Sequence, residues 1–298
     1  MSIKEIRNKA LYLFSKNVLK EIYNIQNAII KGGVLSNLCY NNPNERFSND
    51  IDILLPRHLI KKADEILVQN GFAQKSINPA EKRKNQILCL SASHQTLPYS
   101  KCLDNYLINI DLNFDIFWGE YKGKRVDMDE FLSDIIEMDI YGIKVKTLPP
   151  LKAMVQLILH HYKDMNSIFL LATRKSIKYD MFKDVYYLLK NNLTDISLAK
   201  LYSMSAEYEI IPYVYYVLYY TGKIYDDEIL KEYIEAFKTP EGKTLLNCYG
   251  LNAAERREWK YDFQTRLESD SLYELIKDNL TYKDIEKIAL NKKVFMGE

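Results

Sequence analysis

The chain opens with a helical stripe. Ile6, Leu11, Leu13, Phe14, Val18, Leu19, Ile22 and Ile25 recur at three- and four-residue spacing, which predicts an amphipathic helix over residues 4–26. A short apolar run, Ala28-Ile29-Ile30, then meets Lys31-Gly32-Gly33, where the glycines predict a tight turn into a short helix over 34–40. An Asn- and Pro-rich loop, NNPNER, follows. Residues 50–55, DIDILL, alternate, carry β-branched side chains and stop at Pro56, so they predict a strand. Residues 58–70 predict a helix that ends at Asn70-Gly71. Further strands are predicted over 86–92 and over 106–118, where YLINIDLNFDIFW alternates clearly. A short helix near 127–137 and an extended pair around 140–148 complete this half. Pro149-Pro150 marks a boundary. Beyond it every segment reads as helix: 151–165, 178–191, 196–206, 209–222, 226–238, 253–268, 271–279 and 283–291. The pattern predicts an α+β protein, with a mixed sheet and flanking helices over 1–148 and an all-helical domain over 149–298.

Length and composition agree with two domains. The 298 residues are long for one compact core. Apolar residues make up 47% and charged residues 27%, which excludes disorder across the whole chain. No apolar run approaches the roughly 18 residues of a spanning helix, and the N-terminus lacks the apolar core of a secretory signal. Cys39, Cys89, Cys102 and Cys248 form no CxxC pair, which argues against a structural zinc site and against a disulfide scaffold. The cytoplasm is the expected compartment. With 41 basic and 40 acidic residues the net charge is +1, so no general nucleic-acid signal is present.

The chemistry concentrates between Lys31 and Leu55, in KGGVLSNLCYNNPNERFSNDIDILL. On a strand, residues i and i+2 share a face. Asp50 and Asp52 therefore stand side by side while Ile51 and Ile53 bury the other face. Two adjacent carboxylates repel unless a cation lies between them, and an all-oxygen donor set suits Mg²⁺ or Mn²⁺. A helix that opens on Gly32-Gly33 offers free backbone N–H groups and a positive dipole end to phosphates.

Taken together, an apolar run, Gly-Gly, a short helix, Arg46 and then Asp-x-Asp on a strand resemble the minimal nucleotidyltransferases of the DNA polymerase β superfamily. More narrowly, Lys31, Gly32, Leu35, Tyr40, Arg46, Asp50 and Asp52 resemble the signature of the bacterial uncharacterised nucleotidyltransferase family (NTP_transf_5). The similarity spans about the first 190 residues, is densest over 31–55, and extends to LILHHYKDMN and YDMFKDVYYLL. RFSNDIDI also resembles the toxin nucleotidyltransferases of abortive-infection systems.

The resemblance implies a polymerase β-like domain that moves a nucleoside monophosphate from a nucleoside triphosphate to an acceptor hydroxyl, releasing pyrophosphate. It implies that Asp50 and Asp52 hold two Mg²⁺ ions about 3.5–4 Å apart. It also implies a third carboxylate on a neighbouring strand. Asp111 is the first candidate, Asp115 the reserve, and Asp104 reads as a strand start. The family's Asp-Leu-His strand appears here as Asp111-Leu112-Asn113, so Asn113 replaces the histidine. Gly32, Gly33 and Ser36 are implied to hold phosphates. Ser36 also reads as a helix N-terminal hydroxyl, Lys31 as a phosphate ligand or a solvated strand end, and Arg46 equally as a triphosphate contact or a cap of the Asn-rich loop. The acceptor stays open between protein, small molecule and RNA. An inactive nucleotide-binding regulator and an RNA-modifying toxin are the alternatives.

His160, His161 and Asp164 suggest a metal-dependent phosphohydrolase only if other helices supply more ligands, and the chain holds four histidines in all. His160 is therefore read as a packing or hydrogen-bonding residue. The tyrosine-rich run IIPYVYYVLYY reads as amphipathic core rather than a base-stacking platform.

Overall fold

The computed structural model describes residues 2–74, 79–103, 106–118, 125–173 and 176–296. The chain divides into two compact units, Met1–Ala153 and Met154–Glu298. That division falls a few residues past Pro149-Pro150, inside a continuous helix.

The first unit runs α1 (Ile3–Phe14), α2 (Lys16–Ile22), β1 (Ala28–Ile30), α3 (Gly32–Tyr40), β2 (Asp50–Leu54), α4 (Ile60–Gln69), β3 (Ala73–Gln74), α5 (Pro79–Ala92), β4 (Tyr99–Leu103), β5 (Tyr106–Asn113), α6 (Met128–Phe131), β6 (Ile136–Ile140) and β7 (Ile143–Thr147). Among the described residues, seven strands form one mixed sheet in the order β3-β4-β5-β2-β1-β7-β6. The strand that carries Asp50 and Asp52 is thus central. It runs parallel to β5 and antiparallel to β1.

Burial follows the pleat. Ile51, Ile53, Ile108, Ile110 and Leu112 turn one face of β2 and β5 into a core shared with Val18, Leu19 and Ile22 of α2 and Ala63, Ile66 and Leu67 of α4. The single helix expected over 4–26 is two helices broken at Ser15, a buried residue that caps α1. The break lets Leu11 and Tyr12 on α1 and Val18, Leu19 and Ile22 on α2 all reach the same core.

Three other expectations need correction here. The strand expected over 86–92 is the end of α5. An apolar run as short as Ile87–Leu90 has no decisive period, and the chain from Pro79 onward is rich in helix formers. Cys89 is buried while Ile87 stays exposed, which is a helical and not a pleated pattern. The neighbour of β5 is instead β4, whose short YSKCL segment carries little alternation. The strand expected over 106–118 ends at Asn113, and Phe114 leaves the ladder by donating to the His94 carbonyl at 2.8 Å. The helix expected near 127–137 is a single turn, α6, capped by Asp127, and residues 136–140 pair in β6.

The second unit contains most of α7 (Pro150–Asn166), then α8 (Ile168–Thr173), α9 (Tyr179–Asn191), α10 (Leu198–Glu207), α11 (Ile211–Gly222), α12 (Glu228–Ala236), α13 (Pro240–Leu246), β8 (Cys248–Tyr249), β9 (Arg257–Glu258), α14 (Phe263–Glu268), α15 (Leu272–Ile276) and α16 (Tyr282–Asn291). The tyrosine-rich run is α11, a buried helix that packs against α9, α10, α12 and α13. The Tyr162 ring of α7 lies 4.3 Å from that of Tyr213, tilted by 40°, and meets Tyr216 edge-on. Inside the helix expected over 253–268, β9 pairs with β8, and Gly250 at φ +105° sits so near the Glu255 carbonyl that a Cβ would lie 2.4 Å from it. That close approach ties the segment into a hairpin-like turn. No described helix is long and apolar enough to cross a membrane.

Ile53 is fully buried between β1 and β5. Ile53→Ala should cost about 2–5 kcal/mol, the transfer term plus the cavity left behind. Urea unfolding followed by circular dichroism measures it.

Candidate active site

The site begins where β1 ends. Lys31 has φ +64° and ψ −160°, and Gly32 follows at φ +51°. Two successive residues at positive φ swing the chain out of the sheet and into α3. Gly32 needs to be glycine twice over. Its φ lies in the left-handed region, and a Cβ there would come 2.9 Å from Ser48 Oγ. Lys31 holds a conformation that is close to glycine-only, a strain of about 1–3 kcal/mol that the surroundings must maintain.

What Lys31 gains is an ion pair. Its Nζ lies 2.8 Å from Asp52 Oδ1. Asp52 is buried and also accepts from Asn113 Nδ2 at 3.3 Å. In the parallel register of β2 and β5, Asp52 lies opposite Asp111, and Asp50 lies opposite Asn109. Asp50, Asp52, Asp111, Asn109 and Asn113 therefore share the sheet face opposite to Ile51 and Ile53. Asp50 is pushed up to about 6, first by burial and then by the Asp52 charge, with Lys31 and Arg46 pulling the other way. The fit to a cation is visible in this arrangement: the Asp52 charge raises its neighbour Asp50, and a lysine ammonium stands where positive charge is needed.

The loop between α3 and β2 is fastened from beneath. Asn8 Nδ2 donates to the Arg46 carbonyl at 2.6 Å, and Asn8 Oδ1 accepts from Ser48 N at 3.0 Å. Ser48 Oγ donates to the Asp50 carbonyl at 2.8 Å. Ser36 is fully buried: its hydroxyl donates to the Asn42 carbonyl at 2.6 Å and accepts from Arg46 N at 3.1 Å. Ser36 thus secures the loop that carries Arg46 and does not face solvent, unlike the phosphate role the resemblance implied. Gly33 also turns inward. A Cβ there would lie 3.3 Å from the Tyr12 hydroxyl, whose oxygen takes hydrogen bonds from the Gly33 and Val34 backbone.

Of the residues read from the sequence, Lys31, Asp50, Asp52 and Asp111 meet on or beside one sheet face, with Gly32 at the turn and Arg46 within electrostatic reach of Asp50. Asp115 lies beyond the end of β5. It accepts from Phe117 N at 3.0 Å and pairs with Arg125 at 3.3 Å, and burial pushes it up to about 6. It closes a turn and does not join the ladder. Asp104 lies outside the described residues. Asn8, Tyr12, Ser48 and Asn109 were not singled out from the sequence. Their signals are single polar or aromatic residues without a motif, and only the tertiary fold gives them partners.

A strand-borne Asp-x-Asp, a third carboxylate in register on the next strand and a helix opening on glycines define a class: the nucleotidyltransferase-type α+β domain. The pattern of the uncharacterised nucleotidyltransferase family (NTP_transf_5) matches residues 6–226, and the chain belongs to that family. No curated protein matches it. Two solved structures are similar at a distance. The antibiotic-resistance factor ANT(2'')-Ia in solution is 11% identical with a TM-score of 0.41, over 70% of this chain and 95% of that one. An antigenic nucleotidyltransferase-like protein from Paracoccidioides brasiliensis is 16% identical with a TM-score of 0.37, over 68% and 89%.

Two measurements probe the site without substrate. Lys31→Gly and Lys31→Ala both remove the ammonium, but only alanine keeps the backbone strain. The glycine variant should therefore be the more stable by about 1–2 kcal/mol in urea unfolding, the reverse of the usual order. The second is a pH profile. A carboxyl raised in the folded state binds its proton more tightly there than in the unfolded chain. The metal-free protein should therefore lose stability as pH climbs from about 4 to about 6 and level off above. Asp50→Asn should flatten part of that slope in thermal melts, and Asp115, raised in the same direction, keeps the remainder.

Proposed function

We propose that this protein is a divalent-metal-dependent nucleotidyltransferase that moves a nucleoside monophosphate from a nucleoside triphosphate to an acceptor hydroxyl. The reading is carried by one observation: Asp50 and Asp52 share a face on the central strand, and Asp111 stands in register opposite Asp52. Family membership supports the reaction class. Asp50, Asp52 and Asp111 would hold the metal, Mg²⁺ or Mn²⁺, since all their donors are carboxylate oxygens. When bound, such an ion neutralises phosphate charge and favours loss of the hydroxyl proton.

The chain's own groups divide the remaining work. Lys31 is held at Asp52 in the absence of substrate and supplies a cation that can turn to a phosphate oxygen. The N-terminal turn of α3, opened by the left-handed turn at Lys31-Gly32, presents its positive end. Arg46, set by Asn8 and Ser36, adds a second positive charge beside Asp50. The acceptor oxygen attacks the α-phosphorus, its proton passes to Asp111, and the bond to pyrophosphate breaks. Asn113 steadies Asp52 by its hydrogen bond, so the asparagine at the family's histidine position still serves the carboxylate face. Catalysis of this kind is mostly positioning and charge neutralisation.

Asp50→Asn with Asp52→Asn should abolish transfer and leave the fold intact. The substitutions keep shape and remove two negative charges. Metal-free thermal stability should stay near the wild-type value, because relief of the Asp50–Asp52 repulsion is offset by loss of the Lys31–Asp52 ion pair. The check is paired: mass spectrometry of labelled nucleotide incorporated into cell extract, and melting of the metal-free protein. Wild-type incorporation by a normally melting double variant would overturn the assignment.

A further inference from the structure

The turn that joins β6 to β7 reaches back to the carboxylate site. Ile140 pairs with Ile143, so Tyr141 and Gly142 alone make the turn. Both have positive φ, +56° and +78°. A two-residue hairpin turn of this kind favours Asn-Gly, because both central residues must enter the left-handed region. Gly142 does so freely, and its N–H donates to Asp139 Oδ1 at 2.7 Å. A tyrosine in that conformation is strained and persists only where its surroundings hold it.

Those surroundings are the loop that carries Arg46. The Tyr141 hydroxyl donates to Asn44 Oδ1 at 2.6 Å and lies 3.4 Å from the Pro43 carbonyl oxygen. Asn44 is already bent, its own N–H donating to Asn42 Oδ1 at 3.0 Å. Asn8, which holds the Arg46 carbonyl and the Ser48 N–H, approaches the same hydroxyl. The Tyr141 ring meets Tyr12 edge-on with 5.6 Å between centroids, and Tyr12 in turn takes the Gly33 and Val34 amides. The hairpin is itself anchored to α3. A Cβ on Gly33 would lie 3.5 Å from Ile140, and Asn37 Nδ2 donates to Met138 Sδ at 3.4 Å.

We propose that Tyr141 is a positioning residue for Arg46: its hydroxyl holds residues 43–46 so that the guanidinium is set beside Asp50 before nucleotide arrives. This rests on the reading that Arg46 meets the triphosphate. A guanidinium on a loose loop would lose affinity to the ordering of that loop on binding. Asn8 and Ser36 fasten the loop from α1 and α3, both earlier in the chain. Tyr141 adds a third anchor from 97 residues beyond Asn44. A turn that had only to reverse the chain would be served better by asparagine. The hydroxyl and ring contacts offset a strain that asparagine would avoid.

The test uses the full chain and two variants. Tyr141→Phe keeps the ring and the turn and removes only the hydroxyl. Tyr141→Asn removes the ring as well and gives the turn the residue it favours. In the free protein, amide hydrogen exchange at Arg46 and Ser48, whose N–H groups are held by Ser36 and Asn8, should quicken by about three- to tenfold in both variants. Ile51 and Ile53 of β2 should exchange as before. In Mg²⁺-dependent transfer, Tyr141→Phe should raise KM for the nucleoside triphosphate by about three- to tenfold and leave kcat within about twofold. Placed on Arg46→Ala, the same substitution should change KM no further, since it acts through the guanidinium. Unchanged exchange at Arg46 and Ser48, exchange quickened equally in β2, or the same rise in KM with and without Arg46 would overturn the proposal. If the wild-type chain transfers no nucleotide, the reading of the reaction fails, and exchange at Arg46 and Ser48 alone decides whether Tyr141 holds the loop.

Discussion

The register between β2 and β5 is the constraint on which the carboxylate site depends. In a parallel ladder, residues directly across from one another send their side chains to the same face. Pairing Asp52 with Asp111 therefore aligns two acids, and the two-residue period brings Asp50 in beside them. A slip of one residue would point Asp111 into the core and Leu112 out of it. The slip is resisted by the apolar face: Ile51, Ile53, Ile110 and Leu112 are all buried, and shifting the strand would expose either set. The hydrophobic effect thus holds the carboxylates together against their own repulsion.

That repulsion is handled locally. Lys31 reaches Asp52 from a backbone conformation that few side chains accept, and Gly32 completes the turn with no Cβ to obstruct Ser48. Both features are costly by themselves. They persist because Asn8, Ser36 and Ser48 fasten the following loop through buried hydrogen bonds and because β1 is locked between β2 and β7. Strain, like charge and buried polar groups gather within a few residues of one another, which is the usual signature of a site kept for chemistry rather than for stability.

The legible part of the sequence was where local period and residue type agreed. DIDIL alternates, is β-branched and ends at proline, and β2 forms there; Asp111 sits in an alternating run and β5 forms there too. The tyrosine-rich run, whose residues favour strands, is a helix because its apolar positions surround it and tertiary packing overrides propensity. Illegible were features that depend on distant partners. Ile87–Leu90 could not be told from a strand by period alone. Ser36 looked like a phosphate donor until the loop folded back onto its hydroxyl. Asn8 carries no motif and matters only because residues 43–48 come to rest against it.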